Sequence, residues 1–433
     1  MEAAQRRPGG GRREAWYVDV RDSAGQMRDL FLRYDRATPE EKGDPFTLHR
    51  EAYFYEAFTD TDVPVPRVLG VHPTEQAILS SRVGGHPWFS DLHDEQERVA
   101  VASEFMRILA AMHRLDPHRL HLPDQDPESA LPALVDHELD VWEKIYRDAD
   151  AGSDPVIEIA LGWLRRNRPE AAGPVVIVQG DTGPGNFLYE NGRVTAVLDF
   201  EMGHLGDPHD DLAWVSLRAV QEPFTDLAAR IADYAAMVPW EVDVDRIRYY
   251  RVFAELRVVI LGHRKDSDRD PLAEVGNMLI FNMLHRRLLI EALAEVMGLS
   301  IEEPATPQPD EGELDWLYHA ALEQIRQIIV PRSEDAFVIQ RSKGLARILK
   351  YLRQTERYRS AVQTADLADL TELLGQPPLS IADAVADLMR RHADGSICEG
   401  DVVTFLGRQV FRQTAMLRPV MGILGDRHFD PLP

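Results

Sequence analysis

A chain of 433 residues, 44% hydrophobic and 28% charged, has material for two to three domains at roughly 150 residues apiece. Its 72 acidic against 48 basic side chains, a net charge of −24, exclude nonspecific nucleic-acid binding, which needs surplus Lys and Arg, and a surface drawn to anionic lipid. The single cysteine, Cys398, excludes an internal disulfide framework and fits the reducing cytoplasm; no apolar run reaches the roughly 18 residues that span a bilayer, and the first 13 residues lack the apolar centre of a secretory signal.

In chain order, Trp16–Val20 and Leu30–Tyr34 are β-rich runs joined by the polar hairpin connection Arg21–Gln26. Leu48–Phe58 reads as a short helix, stopped by Val63-Pro64-Val65-Pro66, which forces extended backbone. Ala77–Val83 is a further strand, ended by Gly84-Gly85. Beyond residue 90 the period turns helical, with Phe105, Ile108, Leu109 and Met112 on one face. Arg246–His263 and Val275–Met297 are long apolar helices. Between them and the first helices lies a β island: Val175–Val178, a Gly/Pro loop, and a hairpin of Phe187–Tyr189 and Val194–Leu198 turning at Asn191-Gly192. Residues 302–312 crowd Pro304, Pro307 and Pro309 with Glu302, Glu303, Asp310 and Glu311 and read as a linker. Helices follow at Trp316–Ile329, Phe337–Leu352, Ile381–His392 and Val402–Leu417.

The chemistry concentrates in Gln179-Gly180-Asp181-Thr182-Gly183-Pro184-Gly185-Asn186 and, after the hairpin, Asp199-Phe200-Glu201. On a strand–loop–hairpin frame, Asp181, Asn186 and Asp199 are expected at one end of a small sheet. An amide oxygen and a carboxylate are hard ligands suited to Mg²⁺, which leaves Asp181 to receive a hydroxyl proton. That division of labour suits phosphoryl transfer, where positioning and charge neutralisation dominate. Taken singly, Asp, Asn and Gly in such a loop are also ordinary turn formers.

These segments, continued by Gly206-Asp207-Pro208-His209-Asp210-Asp211-Leu212-Ala213-Trp214, resemble the aminoglycoside phosphotransferase superfamily, which includes choline kinase-like enzymes. The family pattern is H-G-D-x-x-x-x-N, D-[WF]-E, then G-D-P-x-x-D-L-A. Upstream, Gly9-Gly10-Gly11 resembles its nucleotide loop, Leu30–Arg33 its third strand and His49-Arg50-Glu51 the start of its C-helix. The likeness covers about residues 9–300, and the chain is most similar to bacterial phosphotransferase family proteins and to kinase domains fused to acyl-CoA dehydrogenases. The resemblance implies an α+β, two-lobed protein-kinase-like fold, with a β-rich N-lobe (residues 1–84) and a helical C-lobe (85–301). The linker (302–312) then leads to an all-α domain (313–433) resembling a helical domain found beside such enzymes.

Residue by residue, the resemblance makes Asp181 the catalytic base and Asn186 and Asp199 the Mg²⁺ ligands. Arg33 would hold ATP phosphates, Glu51 would pair with it, and the strand end at Ser81–Val83 would face adenine. Asp211 would brace the catalytic loop. On their own, Arg33 also reads as a solvent-facing strand residue, Glu51 as a helix-surface carboxylate, and Gly9–Gly11 as a loose terminus. Three departures stand out: Gln179 replaces the family histidine, Arg33 replaces its lysine and is not interchangeable with it, and few residues precede Gly9, so the first strand is expected to be short or missing. The implied activity is an ATP- and Mg²⁺-dependent kinase of a small-molecule hydroxyl, with a hydroxyacyl-CoA or hydroxy-acid thioester as acceptor. Aminoglycosides or amino alcohols, which the net charge of −24 would suit, are the alternative acceptors. A kinase fold turned nucleotide-binding scaffold is the alternative from another class. A cytoplasmic location, a homodimer through the C-terminal helices, and no nucleic-acid or membrane partner complete the expectations. Arg341, Arg347, Arg353 and Arg357 read as a solvated helix face that could meet an anionic substrate arm.

Overall fold

The computed structural model describes residues 2–7, 13–35, 45–170, 173–268, 273–306, 308–309 and 312–433. The expected glycine loop at Gly9, Gly10 and Gly11 lies outside the described residues. A five-stranded antiparallel sheet opens the chain, in the order β1 (Ala3–Arg7), β2 (Glu14–Arg21), β3 (Met27–Tyr34), β5 (Ala77–Ser81), β4 (Val68–Val71). The first strand is thus present, and it pairs along β2 from Ala3 opposite Asp19 to Arg7 opposite Ala15. The β2–β3 hairpin closes as its composition demands. Asp22 Oδ1 accepts the amides of Ala24 at 3.0 Å and Gln26 at 2.9 Å, and Gly25 takes φ +81°, a turn that a short acceptor side chain and a glycine make cheap. Across the pair, Tyr17 and Phe31 meet edge-on with ring centroids 5.9 Å apart.

Helix α1 (Leu48–Ala57) is started by Thr47, whose hydroxyl accepts the Arg50 amide at 3.0 Å. It lays Leu48 and Ala52 on Ile78 of β5. There follow α2 (Glu95–His113), α3 (Leu131–Asp148) and α4 (Pro155–Arg166), and then the β island. The island is two separate two-stranded sheets, not one: β7 (Phe187–Glu190) pairs with β8 (Arg193–Val197), while β6 (Val176–Val178) pairs with β9 (His204–Gly206). Helices α5 (Pro208–Gln221), α6 (Leu227–Ala235), α7 (Val244–Asp268) and α8 (Val275–Met297) complete this stretch.

Beyond it lie α9 (Asp315–Gln324), continued by a π-helical turn at Ile325–Ile329, α10 (Ala336–Leu374), α11 (Ile381–Ala393) and α12 (Glu399–Met421). The chain gathers into two compact units: Met1–Asp140 with Arg168–Arg251 and Phe429–Pro433, and Val141–Asn167 with Val252–His428. Within the second, α8 packs on α10 and α12. Gly276 of α8 lies so close to the Gly344 carbonyl of α10 that an added Cβ would come within 2.2 Å of it. Arg412 of α12 bonds Asp366 of α10 at 2.6 Å and also reaches Asp369. Among the described residues no helix is long and apolar enough to cross a membrane.

Candidate active site

The loop after β6 carries the expected base. Gly180 turns it at φ +81°, where a Cβ would stand 2.3 Å from the Met202 carbonyl, so only glycine fits. The loop is then pinned from beneath by Asp211 in the first turn of α5. This buried carboxylate accepts the amides of Gln179 at 2.9 Å and Gly180 at 3.0 Å, the Thr182 hydroxyl at 2.5 Å and His113 Nε2 at 3.0 Å. Burial pushes its pKa up, but the hydrogen bond and charge of His113, with Thr182 and the Gln179 amide, outweigh that and hold it below the usual carboxylate range. His113 is itself steadied by Tyr234 at 2.7 Å. Gln179, in the family's histidine position, donates from Nε2 to the Leu198 carbonyl at 2.5 Å and so ties the loop to the segment after β8 that carries Asp199.

Asp181 and Asn186 meet directly: Asn186 Nδ2 donates to both the Asp181 carbonyl and its Oδ2, each at 2.7 Å. The Asn186 carbonyl accepts the Leu198 amide at 2.9 Å, which sets Asp199 next in line. Asp199 sits at φ +62°, a left-handed conformation Asp tolerates better than most residues, with its amide donating to Tyr55 Oη at 3.3 Å. Its carboxylate is 3.4 Å from Arg33 Nη2. Arg33 is therefore no outward strand residue, because its other arm bonds Glu51.

Glu51 is fully buried, not a surface carboxylate. Besides Arg33 it accepts Tyr55 Oη at 2.8 Å and Arg13 Nη1 at 3.2 Å. Burial opposes the Arg33 charge, but Glu51 and Asp199 override it and raise its pKa. Burial and the neighbouring Glu51 push the Tyr55 hydroxyl well up. Arg13 also reaches Glu201 at 2.7 Å. The Glu201 side chain is 37% exposed, and partial burial with the adjacent Asp199 lifts its pKa to about 7 against the pull of Arg13 and Arg33.

The structure thus joins Arg33, Glu51, Asp199, Asn186 and Asp181 into one polar chain. Ser81 and Val83 lie at and just past the end of β5; the Ser81 amide is spent on the Arg67 carbonyl at 2.9 Å, and Val83 is half-buried. Two arginines were invisible in the motifs. Arg13 sits beside the glycine run and reads there as one more terminal charge. Arg218, two turns along α5 from Asp211, approaches Asp181 side-on: Nη2 donates to Oδ2 at 2.9 Å and Nε lies 2.9 Å from Oδ1. Its one sequence signal is the helical spacing from Asp211.

The donor set fits a hard cation. Asn186 commits its amide hydrogens to Asp181, leaving its carbonyl oxygen as the ligand face, and the Asp199 carboxylate is 35% exposed; Mg²⁺ favours few protein oxygens beside phosphate and water. Among the described residues no group of three or more His, Cys, Asp and Glu is arranged as a metal site, in keeping with a pair that holds a single carboxylate.

Residues 5–250 match the family described as "Phosphotransferase enzyme family". The chain is 32% identical over 123 residues to Acyl-CoA dehydrogenase family member 11 of Rattus norvegicus, a match covering 28% of this chain and 15% of that protein. It therefore spans about one-seventh of that relative's length. With an Aminoglycoside 3'-phosphotransferase of Enterococcus faecalis it shares 22% identity over 239 residues, 54% of this chain and 86% of the relative. A solved structure assigned as an aminoglycoside phosphotransferase, from Ralstonia eutropha JMP134, superposes with a TM-score of 0.52 at 20% identity, over 69% of this chain and 93% of that one. That likeness establishes the kinase-like fold.

Proposed function

Because the chain belongs to the phosphotransferase enzyme family, an enzyme class that phosphorylates an alcohol group, we propose that it transfers the γ-phosphoryl group of ATP to the hydroxyl of a small molecule. The observation that carries this is the unbroken chain of contacts Glu51–Arg33–Asp199 and Leu198–Asn186–Asp181, which supports a phosphate-binding role for Arg33, a metal-ligating role for Asn186 and Asp199, and a base at Asp181. Arg33, fixed by Glu51, grips phosphate oxygens with a planar fork. Asn186 and Asp199 would hold Mg²⁺, which would neutralise charge on the transferring group. Asp181 orients the acceptor hydroxyl and receives its proton. Adenine is assigned to the β5 end at Ser81–Val83, and the loop at Gly9–Gly11 to the phosphates.

For the acceptor we favour a hydroxyacyl-CoA or related hydroxy-acid thioester, in line with the dehydrogenase-linked relative. The remaining assignments are a cytoplasmic location and a homodimer through the C-terminal helices, where Trp316 and Phe337 are exposed.

The test pairs Asp181→Asn with Asp199→Ala. Asp181→Asn keeps the Mg·ATP thermal shift of the wild type and loses roughly 10²–10⁴-fold in ADP release; Asp199→Ala loses the thermal shift itself. Wild-type turnover in Asp181→Asn would overturn the assignment of the base. A shift by Mg·ATP with no transfer to any hydroxyl would support a nucleotide-binding scaffold instead.

A further inference from the structure

We propose that Arg218 selects the phosphoryl acceptor, favouring an alcohol that carries a carboxylate or phosphate beside its reactive hydroxyl and rejecting polycations. The inference rests on the kinase reading alone and replaces the thioester favoured above with a free anionic alcohol, because a thioester leaves no carboxylate beside the hydroxyl. Arg218 lies across the catalytic loop with its side chain 19% exposed, Nη2 and Nε both 2.9 Å from the Asp181 carboxylate. The loop is shaped to admit it. Gly183, at φ +140°, would drive a Cβ to 2.7 Å from Arg218 Cβ, and Gly185, at φ +96°, faces Arg218 Nη1 at 3.9 Å. The outer arm is held loosely, with Nη1 at 3.5 Å from Gln221 Oε1.

Both oxygens of the Asp181 carboxylate lie against this guanidinium, so an anion entering beside the loop competes with Asp181 for the same donors. The clasp occupies both oxygens of the base until something competes for the arginine. An anion on the acceptor does so, since carboxylates and phosphates are the bidentate partners a guanidinium prefers. The hydroxyl proton then passes to Asp181, the acceptor oxygen bonds the γ-phosphorus, the bond to the bridging oxygen breaks, and ADP leaves. A polyamine brings positive charge next to Arg218 and offers no anion to exchange. The same residue thus reverses the bias that the net charge of −24 would give toward cationic acceptors.

Calorimetric titration at one pH tests this with glycerate, glycerol phosphate, their neutral relative glyceramide, and kanamycin, on the wild type, Arg218→Gln and Asp181→Asn. The expected result is that wild type binds one or both anions roughly tenfold tighter than glyceramide and does not bind kanamycin. Glycerate against glycerol phosphate tells which anion fits. In Arg218→Gln the preference disappears. In Asp181→Asn, where the internal competitor is gone, anion binding tightens several-fold, and this arm stands even if Arg218→Gln unfolds. Equal binding of glycerate, glycerol phosphate and glyceramide, or no gain in Asp181→Asn, overturns the proposal. The kinase reading fails separately, if no acceptor elicits ADP release while this binding pattern holds.

Discussion

At the scale of single residues, Asp211 does the most without touching any reactant. Four donors converge on it, from three positions of the loop after β6 and from His113, so the loop's shape is set by one carboxylate. Asp211→Asn keeps the volume but turns an amide toward donors. It is expected to cost about 1–3 kcal/mol in urea unfolding and to lower kcat for ADP release more than it changes KM. An unchanged kcat would show that the loop holds its shape by other means. Asp181, Asn186, Asp199 and Asp211 were legible in the sequence because their order and spacing follow one chain segment and its return. Arg218 and Arg13 were not, since no local pattern records which helix face or strand end comes to rest beside a loop made elsewhere.

Among elements, the long periodic ones were read closely: α8 spans Val275–Met297 as its apolar run predicts, and α1 differs from expectation by one residue. The short strands were not. Ala3–Arg7 has no β-branched or aromatic residue and is a strand because β2 offers it an edge. His204–Gly206 extends only because β6 pairs with it, and that pairing split the expected single sheet in two. Helix α10 runs 22 residues past the expected Leu352, to Leu374, through a stretch where Val362, Leu370 and Leu374 are the sparse buried apolar contacts. The tight seam between the loop and the β8–β9 connection gives an element-scale prediction. Gly180→Ala places a methyl 2.3 Å from the Met202 carbonyl at φ +81°, backbone against backbone, and should cost about 1–3 kcal/mol or more. A melting temperature within a degree or so of wild type would contradict the rigidity of this seam.

For the whole molecule, charge governs the response to pH. Asp124, Asp154, Glu158 and Asp211 have pKa values held below their ordinary range in the fold: burial pushes each the other way, but arginine partners at Asp124, Asp154 and Glu158, and His113 at Asp211, prevail. Their stabilisation is complete above the unfolded values and is lost as pH falls through the lowered ones, below about pH 4. Glu201, raised to about 7 by burial and Asp199, and His428, raised by its hydrogen bond to Glu291, act the other way. Folded Glu201 keeps a proton that the unfolded chain releases above about 4.5, and folded His428 keeps one above about 6.5, so both withdraw stability as pH rises. Added to the self-repulsion of a net charge of −24, this places the highest melting temperature near pH 5–6. Raising salt from about 20 to about 200 mM should recover part of the loss at pH 8. Calorimetric scans over pH 3–9 check it, and a melting temperature higher at pH 8 than at pH 5.5 would sink it.

One aromatic side chain gives the site a mechanical property. Phe200, buried between Asp199 and Glu201, stacks on Phe54 with centroids 5.7 Å apart and meets Tyr55 at 5.5 Å and Phe58 at 5.1 Å. Gly203 closes the same seam, since a Cβ there would lie 2.5 Å from the Phe54 ring. The helix carrying Glu51 and the segment carrying Asp199 are therefore keyed together like two teeth of one gear. Sliding one past the other would break this ring packing, so the spacing of Glu51 and Asp199 is set by apolar contacts as well as by Arg33.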